Sequence, residues 1–434
     1  MRVSRPLLLL YSAGFLRALG GGLLGVVLGV YLSRVGISAT RIGLVVGAGI
    51  AGMSIATATV SWAAPRIGCR LTLVVLSLLT ALGGLALAVV PSLSALLFLA
   101  FLGMINGSGT DRSASFALEQ AIIPGLVPDR ERTWSLSWYN ALLDGGGALG
   151  ALGAALPMAI RAVAHVDWRT AYVYLFSAFA ALQVLLAWVY LFLPSHKDLL
   201  RSESRDVTKP AVSPQSRRVV WNIAGLFLID SFGGGFLTDA LVAYWFFHRF
   251  GLTEQMLGVM FFAVHLLNAI SHLGAAWIAR RIGLVNTMVF THLPSSVFLI
   301  AVPLASSPVL AVALFLLRET FVEMDVPTRQ SYVAALVQPH ERAFASGVTN
   351  VTRTAGWAAA SSISGAVMQN ISFSAPLFLG GTLKILYDIL LYRSFRHLKP
   401  PEELLPPLSR VHKPSGLKSS GDTKQHSNPI HKTR

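Results

Sequence analysis

Arg66-Ile67-Gly68 returns as Arg281-Ile282-Gly283, 215 positions later. Around it Arg34, Gly36, Gly43, Thr72 and Val74 recur in the same register as Arg249, Gly251, Gly258, Thr287 and Val289. Farther along the offset shortens by five: Glu131-Arg132, Asn140 and Gly146 are echoed by Glu341-Arg342, Asn350 and Gly356, as a small deletion would leave them. The chain is one half written twice, and paired halves of an apolar chain place a binding site at their junction.

Of 434 residues, 54% are hydrophobic and 13% charged, and the mean hydropathy is +0.61. A soluble domain carries about a quarter charged residues, so most of this surface is expected to face lipid. Met1 to Arg5 form a short basic lead into an apolar run too long for the core of a cleaved signal peptide. Cys69 is the one cysteine, which excludes an intrachain disulfide and a cysteine-based metal site.

A membrane-crossing helix needs about 20 apolar residues. Twelve such stretches are expected, at 7–32, 42–64, 71–90, 95–118, 136–160 and 171–193, then 219–246, 257–279, 285–304, 309–333, 345–368 and 375–391. They form an all-α membrane protein of two six-helix bundles, 1–194 and 219–396, joined by a polar linker at 195–218 and followed by a basic tail at 397–434. That tail has too few apolar residues to fold against anything. With both termini in the cytoplasm, the inner loops and tails hold 24 Lys and Arg, the outer loops five: Arg34, Arg41, Arg161, Arg169 and Arg249. Basic loops stay inside. The formal charge of +15 is therefore a topology signal, and nucleic acid is not an expected partner.

The loop after the second span reads Ser61-Trp-Ala-Ala-Pro65-Arg66-Ile67-Gly68-Cys69-Arg70. With the twelve spans, two halves and central linker, it resembles the major facilitator superfamily, whose loop here runs Gly, three residues, Asp, Arg, any residue, Gly, Arg, then Arg or Lys. Arg66, Gly68 and Arg70 fit, while Ser61, Pro65 and Cys69 depart from it. The second copy, around Arg281, lacks the acid too. The resemblance implies alternating-access transport of a small solute, a cytoplasmic latch at these loops, and a cavity lined by spans one, four, seven and ten. It also implies a monomer in the plasma or inner membrane. The texture is similar to bacterial export-type members, although the Arg of their fourth span and the proline of their fifth are missing from Gly103–Gly109 and Gly145–Gly150. Efflux coupled to protons is one expectation; import of a sugar or organic acid is its rival, and a sensor that moves nothing is another.

A charge in the apolar core costs roughly 3 kcal/mol or more and so faces a cavity or a partner. At ~1.5 Å per residue, Arg17, Asp230 and the pair Arg318-Glu319 lie ~14–16 Å deep, near the midplane, with Asn106 at the same level. These five are the candidate substrate or proton-coupling residues. The bland alternative is a self-neutralising Arg17–Asp230 pair across the halves. Shallower charges are read as gating groups: Asp111, Arg112, Asp144, Asp325 and Arg353, together with loop residues Arg66, Arg70 and Arg281. Arg318 and Glu319 point ~100° apart on a helix, so different neighbours are expected for each. Lys384 and Asp388 read as an i,i+4 structural pair. Trp134, Trp138 and Tyr139, and the run Tyr244-Trp245-Phe246-Phe247, read as interfacial belts.

No Walker-type loop, nucleophile–base motif or bound cofactor is indicated. His265 and His272, two helical turns apart, do not suggest a metal, and neither do His426 and His431 in the tail. The chain is not expected to be an enzyme.

Overall fold

The computed structural model describes residues 4–89, 92–105, 107–109, 113–128, 131–194, 212–338 and 341–397. Asn106, Asp111, Arg112, the linker up to 211 and the tail from 398 lie outside the described residues, as do the side chains of Trp134 and His272. The helices of the first half are α1 (Arg5–Arg34), α2 (Ala39–Ile67), α3 (Cys69–Val89), α4 (Leu93–Leu102), α5 (Ala114–Ile122), α6 (Arg132–Leu152), α7 (Leu156–Ala164) and α8 (Trp168–Leu191). Those of the second are α9 (Pro214–Gly235), α10 (Asp239–Phe250), α11 (Glu254–Ile282), α12 (Leu284–Ala301), α13 (Pro308–Val322), α14 (Asp325–Leu336), α15 (Arg342–Asn370) and α16 (Ala375–Phe395). Among the described residues, nine helical segments are long and apolar enough to cross a membrane.

The repeated Arg-Ile-Gly has a backbone cause. Gly68 ends α2 at φ +96° and Gly283 ends α11 at φ +87°, a region that side chains disfavour. Each glycine N–H donates to the carbonyl four residues back, Ala64 or Ala279, at 3.0 Å. The next helix starts at once. Its repeated threonine, Thr72 or Thr287, donates its hydroxyl to that same glycine's carbonyl at 2.9 or 2.7 Å. One turn chemistry, used twice, accounts for the echo.

The lipid face is legible in α3, where Leu71, Val75, Leu78, Leu82, Leu85 and Val89 are all exposed. Their spacing of three and four residues makes one stripe. A stripe of that length facing water would be an aggregation liability; facing acyl chains it is neutral. The belt reading of the second half is corrected. Trp245 and Phe246 are fully buried: the Trp245 indole N–H donates to Ser374 Oγ at 3.1 Å and the Phe246 ring packs on Phe315. Tyr139 is also fully buried and serves another purpose, described below.

Four expected spans are broken. The fourth divides into α4 and α5, with Met104 at φ +51° and Gly109 at φ +74° between them. The fifth tightens into a 3-10 turn at Gly153–Ala155. The seventh divides at Phe236–Thr238 after Gly233-Gly234-Gly235, and the tenth turns at Glu323-Met324. A helix broken at membrane depth must satisfy its freed backbone groups within the protein. The Ala240 N–H donates across the halves to the Gly107 carbonyl at 3.0 Å. The Ser361 hydroxyl donates to the Gly235 carbonyl at 2.8 Å. The seventh helix also starts earlier than expected, at Pro214, since Ser213 caps it by accepting from the Ser216 N–H.

The halves meet along α2–α15, α6–α11 and α1–α10. Small residues set this approach: a methyl on Gly43 would lie 2.8 Å from the Ser361 carbonyl oxygen, and one on Gly258 2.8 Å from that of Ala151. One apolar core runs through both halves, and a second, around Phe227, Met288, Tyr332 and Tyr387, belongs to the second half alone.

Glu341, just before α15, accepts from the Ser216 hydroxyl at 2.6 Å and from the Ser213 and Gln338 N–H groups at 2.8 and 3.1 Å. It thereby clasps the first turn of α9. The Ser216 hydroxyl, then the Ser213 amide, stabilise the carboxylate and pull its pKa down from 4.5 to about 2. A carboxyl lowered on folding stabilises above its ordinary range and stops doing so as pH falls through the folded value. The clasp should therefore weaken between pH 4.5 and about 2. Glu341→Gln should lower the melting temperature at neutral pH and flatten the acid limb over that window. A melting profile matching the parent at every pH would exclude the clasp.

Candidate functional site

At the breaks in the seventh and tenth helices lies a cavity of about 70 Å³, lined mostly by the second half with Ser108 from the first, enough for several waters. Asp230 is its centre. Lys384 Nζ donates to Asp230 Oδ1 at 2.9 Å, and Arg329 reaches Oδ2 at 3.4 Å. Arg329 also donates to Asp325 at 2.6 Å, one turn back on α14. His292 Nδ1 lies 3.0 Å from Asp388 Oδ1, with its Nε2 3.3 Å from Lys384 Nζ. Every one of these side chains is at least nine-tenths buried. Taking one charge out of water costs several kcal/mol, which an opposite partner with good geometry offsets. Four helices, α9, α12, α14 and α16, each contribute to this network.

Arg318 and Glu319 line the same cavity and touch each other. The long Arg318 side chain swings around the helix to its adjacent carboxylate. Arg353 also lines it, donating Nε–H to Ser231 Oγ at 3.2 Å. The Lys384–Asp388 reading is corrected as well: each turns to another helix, Lys384 to Asp230 on α9 and Asp388 to His292 on α12. Asp325, expected near a helix end, sits in the buried network because the tenth helix turns at Met324.

The first half has its own cluster. Arg17 donates to Glu119 Oε2 at 2.7 Å, to the Tyr190 hydroxyl at 2.7 Å and to that of Tyr139 at 3.0 Å. Both tyrosines donate in turn to Glu119, at 2.5 and 2.6 Å. Glu119 is fully buried. Arg17 also borders a smaller cavity of about 40 Å³ with Met53, Ser77, Phe179 and Gln183. The Arg17–Asp230 pair is thus not made; each charge is answered inside its own half. Glu119 escaped sequence reading because it falls one residue beyond the expected fourth span. Lys384, Arg329 and His292 escaped because single residues on separate helices carry no spacing signal.

Of the gating candidates, Arg66, Arg70 and Arg281 are exposed, with the Arg281 guanidinium 3.9 Å above the Trp277 ring. Asp144 is half-buried on α6. A polar seal missed in the sequence lies at the opposite end. Arg34 pairs with Glu254 at 2.6 Å, Tyr172 donates to the same carboxylate at 2.9 Å, and Ser33 and His248 lie 2.6 Å apart. Thr40 donates to Gln369 at 2.8 Å beside it. This end of the seam is shut.

Residues 10–360 match the family model described as Major Facilitator Superfamily. An uncharacterized membrane protein of Saccharomyces cerevisiae is 25% identical over 418 residues, covering 89% of this chain and 93% of its own length. Among solved structures, the nucleoside transporter NupG aligns at TM-score 0.70 and 15% identity, covering 90% of this chain and 99% of its own. A D-xylose-proton symporter aligns at 0.69 and 13%, covering 89% and 96%. A bacterial homolog of the human lysosomal transporter Spinster, inward-facing and occupied, aligns at 0.69 and 14%, covering 91% and 98%.

Removing one partner of a buried ion pair costs about 3–5 kcal/mol, because the other charge is left uncompensated. Glu119→Gln should therefore lower thermal stability strongly, whereas Glu119→Gln combined with Arg17→Met should recover much of the loss. Melting curves of the purified variants check this. A double variant no better than the single one would show that the cluster is not the pair described.

Proposed function

The chain belongs to the major facilitator superfamily, and from that premise we propose that it is a secondary transporter moving a small polar solute by alternating access. The observation that carries the reading is the charged cavity at the helix breaks, set against two halves that each hold their own deeply buried ion pair. A binding site lined by discontinuous helices, between halves that can rock, is the architecture such movement needs.

In this reading the twelve spans run as two bundles of six with both termini in the cytoplasm, as the distribution of basic loops requires. The end held by Arg34–Glu254 and Thr40–Gln369 then faces outward, and in this reading the cavity is reached from the inner side. Asp230, Arg318 and Glu319 serve the solute or the coupling proton, and Arg66, Arg70, Asp144, Arg281 and Arg353 belong to the inner gate. The protein works as a monomer in the cell membrane. Its direction is outward, an assignment resting on the export-type texture of the sequence.

Reconstitution into vesicles of each orientation tests the proposal. A solute that stabilises the protein in a thermal shift screen should be exchanged across the bilayer, faster in the outward sense and collapsing with a protonophore. Accumulation in the opposite sense alone would reverse the direction, and binding without any flux would make the protein a sensor. Asp230→Asn leaves Lys384 and Arg329 facing a neutral amide and should cut turnover at least tenfold while the protein remains inserted. Unchanged turnover would remove Asp230 from the mechanism.

A further inference from the structure

The charges of the cavity do not pair off evenly. Lys384 and Arg329 are taken up by Asp230 and Asp325, and Arg318 by Glu319. Asp239, in the first turn of α10, is left with an oxygen, Oδ2, that has no hydrogen-bond partner. His265 Nε2, 3.8 Å from that oxygen, also has none. Asn268, on the same face of α11 three residues on, has its Oδ1 unpartnered as well. His265 and Asn268 are 4% and 8% exposed, and all three side chains line the one cavity. Glu323 adds a carboxylate within electrostatic reach of both Asp239 and His265.

Buried acceptors without donors are rare in folded proteins, and each asks for a partner. A cationic donor suits these acceptors best, because among the described residues no lysine or arginine is hydrogen-bonded to the Asp239 carboxylate. A metal ion fits poorly: among the described residues no cluster of three His, Cys, Asp or Glu could hold one. A primary ammonium fits well, being a compact charge with three N–H donors. Resting on the transport reading, we propose that the solute carries a primary amine, bound as its ammonium by Asp239 Oδ2 and Asn268 Oδ1. His265 Nε2 is the third acceptor, in the tautomer with the proton on Nδ1. The same cavity offers unpartnered N–H donors from Arg318 Nε and the second terminal nitrogen of Arg329. The rest of the solute therefore carries acceptor groups, a hydroxyl or a carboxylate.

The place of Asp239 ties this binding to movement. Its side chain packs on Gly25 and Gly109 of the other half: a methyl on Gly25 would lie 3.3 Å from Asp239 Cβ. The next residue, Ala240, makes the backbone bond to Gly107. An ammonium at Asp239 sits where the halves touch.

Thermal shift and calorimetry on the purified full chain, with matched probes, test the assignment. Ethanolamine and 3-amino-1-propanol are compared with ethylene glycol and 1,3-propanediol, which replace the amine by a hydroxyl. The amines should raise the melting temperature in a concentration-dependent way and the alcohols should not. Asp239→Asn should weaken amine binding at least tenfold, and Asn268→Leu should act in the same direction. Should Asp239→Asn fail to elute as a folded species, Asn268→Leu decides. Equal stabilisation by the alcohols, no response to any amine, or amine binding untouched by the substitutions would overturn the proposal. The transport reading fails separately: an amine that binds through Asp239 yet is never moved would refute transport and leave the site standing.

Discussion

Charge buried in lipid must be neutralised nearby, and this chain makes its most deeply buried ion pairs within each half. Arg17 and Glu119, with two tyrosine hydroxyls, close one cluster. Asp230, Lys384, Arg329 and Asp325 close the other. An ion pair across the midplane would have to break in every cycle of a rocking mechanism, at a cost of several kcal/mol. Keeping the strong pairs internal makes each half stiff and leaves the seam to weaker forces. Those forces are close backbone approach at small residues and a polar seal at one end, which is partly exposed and so easier to open.

The broken helices follow from the same constraint. A continuous apolar helix offers no backbone groups to a polar solute, whereas a break does. Here the breaks coincide with the charged cavity, and their loose ends are tied by Ala240 to Gly107 and by Ser361 to Gly235. The first of these bonds crosses between the halves. The break in the seventh helix is therefore also a point where the halves touch.

Much of the fold was legible in the sequence, because the signals that set it are local. Runs of apolar residues give the helices, and Gly68 and Gly283 end two of them by the same positive-φ turn. The family followed from that repeat. The cavity was legible only in outline: depth along a helix brought Asp230, Arg318 and Glu319 to one level, and they do share a cavity. Their partners were not legible. Lys384 could be read against Asp388 because four residues separate them, but the choice of Asp230 depends on how α16 is turned toward α9. Tyr139 looked like an interfacial ring for the same reason, since burial is decided by the neighbouring helix and not by residue type.

The central claim is that two halves, each holding its own buried ion pairs, move about the cavity. Spin labels at Thr40 and Gln369, which meet across the shut end, with Cys69 replaced by serine, measure it directly in lipid nanodiscs. The account predicts two distance populations, a short one matching the closed seam and a longer one whose share changes with bound solute. One short distance, unchanged under every condition, would mean the halves do not separate and would contradict it.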